Sequence, residues 1–143
     1  RAHVDYDMVV IEYGINALTS QQKEYSGYSR ILGQIIDRVR QCYPDADIVM
    51  MGIGDRGQKI NGNVASLPTA PAMVRAQRDA ARRKGVIFWD TRAAMGGENS
   101  VVDWRDRGLI NADYIHLNAK GGMELARLFV DALDCTLSPP SHK

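Results

Sequence analysis

The residues best suited to chemistry in this chain are a carboxylate and a histidine near its C-terminal end. Asp113 and His116 are three positions apart, just before a segment patterned as a helix. In a turn, this spacing brings the carboxylate to one imidazole nitrogen and leaves the other free to take a proton, as a catalytic base requires. The alternative is a local turn with an incidental histidine. His3 and His142 are terminal, so His116 is the histidine we expect over the folded domain.

A glycine and an asparagine form the second candidate. Gly14 and Asn16 follow the first apolar run of the sequence. Gly14 would let the chain turn sharply, leaving the Asn16 side-chain amide free to donate a hydrogen bond. A fixed neutral donor near a reacting carbonyl is what an oxyanion hole needs. The alternative is a turn asparagine that hydrogen-bonds its own backbone.

Three short apolar runs predict the strands that position these groups. They lie at 7–12, 47–51 and 85–90, and each is continuous rather than alternating. Continuous apolar runs are typical of strands buried on both faces, as in a parallel sheet. We therefore expect three parallel strands, each covered by helices above and below.

Helical patterns separate and follow these strands. A stripe with three- and four-residue steps predicts a first helix that ends before Pro44 and buries Tyr28, Ile31, Leu32, Ile35, Ile36, Val39 and Tyr43. A second helix is expected from about Thr69 to Lys84, with Thr69 as its N-cap, and a last one after the N-cap Asn118. This order predicts an α/β fold, a three-layer α/β/α flavodoxin-like sandwich with a parallel sheet.

Ligands of such folds bind at the carboxyl ends of the strands. That rule selects the segments 13–18, 52–67 and 90–116, which contain both candidate pairs. The middle segment is long for a plain connection, and long ordered loops are often functional.

On these residues the chain resembles the SGNH hydrolases, also called GDSL esterases and lipases. The sequence Gly14-Ile15-Asn16 is similar to the family's third block, and Asp113-Tyr114-Ile115-His116 to its fifth. The resemblance runs from Asp7 to about Leu133. It implies that Asn16 donates to the oxyanion, that His116 is the general base, and that Asp113 orients it. It also implies an esterase that needs no metal and no cofactor.

The family's nucleophile block, Gly-Asp-Ser, does not occur in this sequence. Gly54-Asp55-Arg56 comes nearest, but it has no hydroxyl and follows the wrong strand. The resemblance therefore implies that residues 1–137 are the C-terminal part of one SGNH domain, with the serine on a preceding segment of the same chain or of a separate one. Three strands alone would leave an open edge, so we expect the isolated chain not to fold stably. Residues 138–143 are expected to form a disordered tail.

An internal serine is the alternative nucleophile. Ser100 lies in the stretch 96–100 after the third strand, but no sharp strand-to-helix turn precedes it. The same stretch is otherwise expected to be a flexible substrate-binding or lid loop, with Trp104 as a wall. Residues 13–17 and 96–100 resemble bacterial SGNH enzymes that remove O-acetyl groups from cell-wall polysaccharide. That resemblance implies a small-molecule or polysaccharide ester as substrate, and it favours export from the cytoplasm.

Composition excludes several other classes of protein. A net charge of +1 over 143 residues gives no basic field for nucleic acid, and the basic run at 75–84 is expected to be a solvated helix face. No apolar run is long enough to span a membrane. Asp103, Asp106 and Asp113 fit no metal-ligand spacing. Cys42 and Cys135 are expected to be buried free thiols rather than a disulfide.

A second function stays open on the sequence alone. Because the nucleophile is missing, the chain could be a non-catalytic flavodoxin-like module used for binding or assembly. The polypeptide directly before residue 1 discriminates between the two functions, because only the esterase needs a Gly-Asp-Ser there.

Overall fold

Within residues 4–137, five strands and five α-helices form the fold, and three of the strands make a small parallel sheet. The structure is a computed structural model that describes residues 4–137, apart from the side chains of Ile60 and Leu137. In chain order the elements are β1 (Met8–Glu12), α1 (Ser26–Cys42), β2 (Asp47–Met51), β3 (Gly57–Ile60), β4 (Asn63–Ser66), α2 (Ala70–Lys84), β5 (Ile87–Trp89), α3 (Thr91–Met95), α4 (Ser100–Asp106) and α5 (Ala119–Leu137). The tail predicted at 138–143 lies outside the described residues.

The central sheet has the order β1-β2-β5, and both outer strands run parallel to β2. Because side chains alternate along a strand, neighbouring residues of β5 face opposite layers. Phe88 packs against the cluster built from α1, α2 and the sheet, whereas the Trp89 ring meets Phe129 of α5 edge-on at 5.0 Å. Helices thus cover both faces, which confirms the predicted α/β fold with a parallel sheet.

Burial on both faces was predicted for all three strands and holds fully only for β2. Ile48, Val49 and Met50 are buried, whereas Val10 of β1 is 43% exposed. The reason is the face to which it points: Val9 and Ile11 pack with α1 and α2, so Val10 lies on the opposite face, where the described helices leave it exposed. The predicted stripe of α1 is likewise wrong at Ile31, which is half exposed, and right at Leu32 and Ile36.

The long segment after β2 contains an antiparallel hairpin, β3–β4, which the sequence analysis missed. Its turn is Asn61-Gly62, with positive φ values of 51° and 84°. These values fit the two-residue turn that Asn-Gly favours between paired strands. The dipeptide was therefore the available signal.

The segment after β5 is folded core rather than a lid. Trp104 is almost fully buried, and its Nε1 donates to the Met95 carbonyl at 2.9 Å, so its expected role as a cavity wall is wrong. Ser100 is also buried, and its Oγ donates to the Gly97 carbonyl at 2.8 Å. The two helices α3 and α4 bury these side chains, which explains the difference.

Two local predictions at element ends are also wrong. Cys42 and Cys135 are free thiols as expected, but both are exposed because each lies in the last turn of a helix. Thr69 stands before α2 without capping it, since its hydroxyl donates to the Thr19 carbonyl at 2.7 Å instead. Asn118 does cap α5, where its Oδ1 accepts from the Gly121 amide at 3.0 Å.

Candidate active site

A cavity of about 660 Å³ lies at the carboxyl ends of the parallel strands, where the fold rule places ligands. Three of the four predicted site residues, Gly14, Asn16 and His116, line it together. The fourth, Asp113, is hydrogen-bonded to His116. The structure therefore brings together two segments that lie about a hundred positions apart in the sequence.

The acid–base pair has the geometry that its spacing predicts. Asp113 Oδ2 lies 2.7 Å from His116 Nδ1, and Asp113 Oδ1 accepts from the backbone amides of Ile115 and His116 at 2.9 and 3.0 Å. With Nδ1 donating to the carboxylate, the imidazole holds the tautomer whose Nε2 can accept a proton. Tyr114, between them, has a φ of 58°, a left-handed value that this tight turn requires.

These hydrogen bonds hold the pKa of the Asp113 carboxyl at about 2, below its usual 3.8. The side-chain hydrogen bond from His116 is the largest cause, followed by the amides of His116 and Ile115. Each of these donors favours the charged carboxylate. Asp113 is therefore ionised throughout the neutral range, as a group that stabilises an imidazolium must be.

Short-range contacts close the loop at 111–116 at its base. Ile110 and Leu117 form an antiparallel bridge, and the Asn111 amide donates to the His116 carbonyl at 2.8 Å. A backbone hydrogen bond also comes from outside the loop, where the Gly57 amide of β3 donates to the Tyr114 carbonyl at 2.8 Å. A Cβ on Gly57 would stand 2.9 Å from the Tyr114 Cβ, so this close approach needs glycine.

The turn that carries Asn16 begins with a glycine in a conformation that other residues rarely adopt. Gly14 has a φ of 127°, and a Cβ there would lie 3.2–3.3 Å from Gln77, Tyr28 and Ile53. The chain then enters a single 3-10 turn at Ile15–Ala17. Gly14 thus turns the chain off β1 at the edge of the cavity.

The Asn16 side chain makes no hydrogen bond to any residue between 4 and 137. The alternative of an asparagine bonded to its own backbone therefore does not describe this turn. Asn16 is exposed and lines the cavity, so its amide is available to a carbonyl oxygen bound there.

The lining of the cavity also includes Asp55, which was not recognised from the sequence as part of a site. The carboxylate of Asp55 is fully buried and accepts from Arg92 Nε at 3.0 Å, Ser66 Oγ at 2.6 Å and the Val101 amide at 3.1 Å. These partners belong to α3, α4 and the β3–β4 hairpin, so the Asp55 carboxylate links these three elements at the cavity. Its partners are 11 to 46 positions away, and no short motif could have indicated them.

No serine is among the side chains that line the cavity within the described residues. The hydroxyls present there belong to Tyr13, Tyr28 and Thr91. The pKa of Tyr28 is raised by burial and by the neighbouring Tyr13, which disfavours it as a nucleophile. Ser100 is not a lining residue, so the structure does not support it as the nucleophile.

Within residues 4–137, no three His, Cys, Asp or Glu side chains come close enough to hold a metal ion. None of the described helices is long and apolar enough to cross a bilayer. In the basic run of α2, Arg78 pairs with Asp90 and Lys84 with Asp37, each at 2.5 Å. Part of the positive charge of that run is therefore neutralised within the fold.

Comparison with known families places the chain in one of them. The model of the GDSL-like lipase/acylhydrolase family matches residues 1–122, which include β1, the Gly14 turn and the loop with Asp113 and His116. The chain belongs to this family. Its match covers both blocks on which the resemblance rests.

Several solved structures share the fold. One of a peptidoglycan O-acetylesterase superposes with a TM-score of 0.79 at 24% identity, over 91% of this chain and 37% of that one. An acetylxylan esterase from Geobacillus stearothermophilus gives 0.61 at 22% identity, over 87% of this chain and 58% of that one. The enzyme LAE5, described as an alpha/beta hydrolase from the metagenome of Lake Arreo, Spain, gives 0.63 at 19% identity, over 92% and 62%.

This member of the family thus spans between about a third and two thirds of the length of those three chains. A comparison with curated protein sequences gives no match. Within the family's pattern, the chain contains the third and fifth blocks and departs from it in lacking Gly-Asp-Ser.

Proposed function

We propose that this chain is the acid–base half of a serine esterase that removes acetyl groups from a carbohydrate. The observation that supports this most strongly is the 2.7 Å contact between Asp113 and His116 beside a cavity that Asn16 also lines. A histidine base held by a carboxylate, and a donor for the oxyanion, are the groups that acyl transfer needs besides a nucleophile.

In the proposed mechanism, His116 Nε2 removes the proton from a serine hydroxyl as its oxygen attacks the ester carbonyl. The imidazolium that forms is stabilised by ionised Asp113, which keeps its own charge. His116 then returns the proton to the leaving alcohol, giving an acyl-enzyme. Water attacks this intermediate by the same route, and acetate is released.

Asn16 is the proposed donor to the tetrahedral oxyanion. Its amide is neutral, free of internal hydrogen bonds and carried by a turn whose first residue is conformationally fixed. Such a donor stabilises negative charge that develops only in the transition state, and it needs no rearrangement as the reaction proceeds. Backbone amides of the nucleophile segment would complete the oxyanion hole.

The serine is proposed to come from a segment preceding residue 1. Two observations support this part of the proposal. No serine lines the cavity within the described residues. Within the described residues, β1 is paired with β2 along one edge, and its other edge is unpaired, so a further strand could be added along that other edge.

The acetyl group and the carbohydrate are proposed from the solved relatives. Two of the structures that share the fold are named as acetyl esterases, one acting on peptidoglycan and one on acetylxylan. The identity is below 25% in both cases, so the substrate is part of the proposal. Acetylated polysaccharides and acetylated xylo-oligosaccharides are the first substrates to assay.

The test uses the expressed protein, meaning the whole polypeptide in which residues 1–143 occur. An organophosphonate that reacts with activated serines is added, and peptide mass spectrometry locates the adduct. We expect one adduct, on a serine outside residues 1–143, and hydrolysis of p-nitrophenyl acetate should be lost as it forms.

Two variants of the same protein distinguish the loss of the catalytic base from a general effect on folding. His116→Ala should abolish both the adduct and ester hydrolysis, by about 10⁴-fold or more, because an unassisted serine is a weak nucleophile. Lys120→Ala, an exposed position four residues later, should leave both unchanged. An adduct on Ser100, or full activity of His116→Ala, would contradict the proposal.

A further inference from the structure

A buried glutamine of α2 bridges the ends of two strands next to the Asn16 turn. Gln77 is fully buried. Its Oε1 accepts from the Ile53 amide at 2.9 Å, and its Nε2 donates to the Tyr13 carbonyl at 2.6 Å. Both polar ends of this side chain are therefore used, as burial of an amide requires.

These two hydrogen bonds take the place of backbone hydrogen bonds between β1 and β2 beyond the point where the two strands stop pairing. The β1–β2 ladder ends at the pair Glu12 and Met51. Beyond it, the Gly52 amide already turns to the Trp89 carbonyl at 2.8 Å. Gln77 therefore holds the carbonyl of Tyr13, the first residue past β1, and the amide of Ile53, the second residue past β2. Tyr13 directly precedes Gly14, so the starting point of the turn is fixed from α2.

An arginine holds the other end of the same turn. Arg56 Nη1 donates to the Ile15 carbonyl at 3.0 Å and to the Leu18 carbonyl at 3.1 Å. These carbonyls lie on either side of Asn16 in the chain. The guanidinium thus fixes the backbone before and after the residue that carries the proposed oxyanion donor, from 38 to 41 positions away.

Neither side chain is in a position to act on a substrate. Gln77 and Arg56 are absent from the residues that line the cavity, and their hydrogen bonds go to backbone groups of 13–18 and, for Gln77, also to the Ile53 amide. Either side chain can therefore affect the chemistry only by setting the position of the turn at 13–18. Gly14 lies close to the same Gln77 side chain, since a Cβ there would stand 3.2 Å from Gln77 Nε2.

We infer that Gln77 and Arg56 are positioning residues that together hold the Asn16 amide at the place where the oxyanion forms. The catalytic consequence of this inference rests on the proposed function, whereas the claim that the two side chains hold the turn at 13–18 does not. An oxyanion donor works only when its geometry is set before the reaction. A turn with three backbone contacts to distant side chains meets that condition.

The catalytic part is tested with steady-state kinetics on the expressed protein. In Gln77→Met and in Arg56→Met, kcat for an acetyl ester should fall about 10- to 100-fold, since small misplacements of a catalytic group cost that much. KM should stay within about twofold, because the donor acts mainly on the transition state. Arg56→Lys keeps a charged donor and should recover most of the lost kcat.

The structural part is tested by amide hydrogen exchange on the same variants. The Ala17 amide donates to the Gly14 carbonyl at 2.9 Å and reports on closure of the turn. Its exchange should become at least about tenfold faster in Gln77→Met and Arg56→Met, since local opening sets exchange. Gln34→Met, an exposed position on α1, is the matched control and should change neither exchange nor kcat.

If Gln77→Met does not fold, Gln77→Glu keeps the acceptor for Ile53, and Arg56→Met still tests the arginine. Unchanged Ala17 exchange in the folded variants would overturn the inference. So would an active protein whose variants lose affinity for substrate but keep kcat. If the parent protein shows no esterase activity, the proposed function fails, and the exchange measurement still decides whether the two side chains hold the turn.

Discussion

The two loops of the site are held in place in different ways. The loop at 111–116 is fixed mostly by its own residues: Asp113 is hydrogen-bonded to the His116 ring and to the backbone amides of Ile115 and His116, and the Ile110–Leu117 bridge closes its base. The turn at 13–18 is held instead by Gln77 and Arg56, which lie 38 to 64 positions away.

The difference matches the tasks proposed for the two loops. A base and its carboxylate must be correctly placed relative to each other, and one short segment can set that part of the geometry, although the base must also reach the serine. An oxyanion donor has to be correct relative to a carbonyl bound elsewhere in the cavity. Its position must therefore be set by the fold, and side chains from the neighbouring elements set it.

The largest effect expected from breaking the self-contained loop comes from Asp113→Asn. An asparagine can still accept from the Ile115 and His116 amides, so the loop should remain closed. Its amide group would face Nδ1 and favour the other imidazole tautomer, which leaves no acceptor at Nε2. We expect kcat for p-nitrophenyl acetate to fall about 10³- to 10⁴-fold.

Nitrogen NMR of His116 checks the cause, since the tautomer should switch while the Ala17 amide stays protected. Asp106→Asn, an exposed position at the end of α4, is the control and should keep full activity. Retention of the original tautomer together with lost activity would argue against the proposed role of Asp113.

The next effect in size concerns the donor itself. Asn16→Ala should lower kcat about 10²- to 10³-fold, as removal of one oxyanion donor does in acyl transfer. Because Asn16 is exposed and without internal hydrogen bonds, the free energy of unfolding should hardly change. Thermal unfolding and kinetics on the same samples measure both quantities. Asn63→Ala, exposed in the hairpin, is the matched control.

The same contrast explains how much of the site the sequence could predict. Asp113 and His116 are recognisable together because the contact they make spans three residues. Gly14 and Asn16 are recognisable as a turn after a strand. Gln77 is not, because a glutamine inside an otherwise apolar helix face has no local signature, and its partners, Tyr13 and Ile53, belong to other elements.

The fold shows the same limit. Periodicity predicted α1, α2, α5 and the three parallel strands, since each depends on its own sequence pattern. It did not predict that Trp104 enters the core or that Val10 is exposed, because both depend on which elements lie alongside. The hairpin at Asn61-Gly62 is an exception, since its turn signal was local and was overlooked.

A smaller effect tests whether the 111–116 loop is as self-contained as its contacts suggest. Gly57→Ala would place a Cβ 2.9 Å from the Tyr114 Cβ and disturb its one described backbone contact with β3. Overpacking of this kind should destabilise the protein by about 1–3 kcal/mol. A loop held by its own hydrogen bonds should still keep kcat within about fivefold.

Gly122→Ala is the matched control, because a Cβ there meets nothing within 4 Å. Chemical denaturation and kinetics measure the two effects separately. A loss of kcat in Gly57→Ala as large as in Asp113→Asn would show that the loop depends on the hairpin, and the contrast between the two loops would not hold.

The smallest expected effect is on pH dependence and sharpens the same contrast. Hydrogen bonding lowers the pKa of the Asp113 carboxyl from 3.8 to about 2, so the folded state favours its charged form. The stabilisation is complete above the unfolded value near 3.8 and is lost as the pH falls through about 2. The order of the loop should therefore survive to more acidic pH than an unpaired carboxylate would allow.

In a carbon-13 titration, the Asp113 carboxyl and the amides of Ile115 and His116 should share one low midpoint, while the amides of β2 report that the fold persists. A midpoint near 3.8 for Asp113 would mean that its hydrogen bonds do not hold the loop, because a carboxylate that gains nothing from its donors titrates as it does in the unfolded chain.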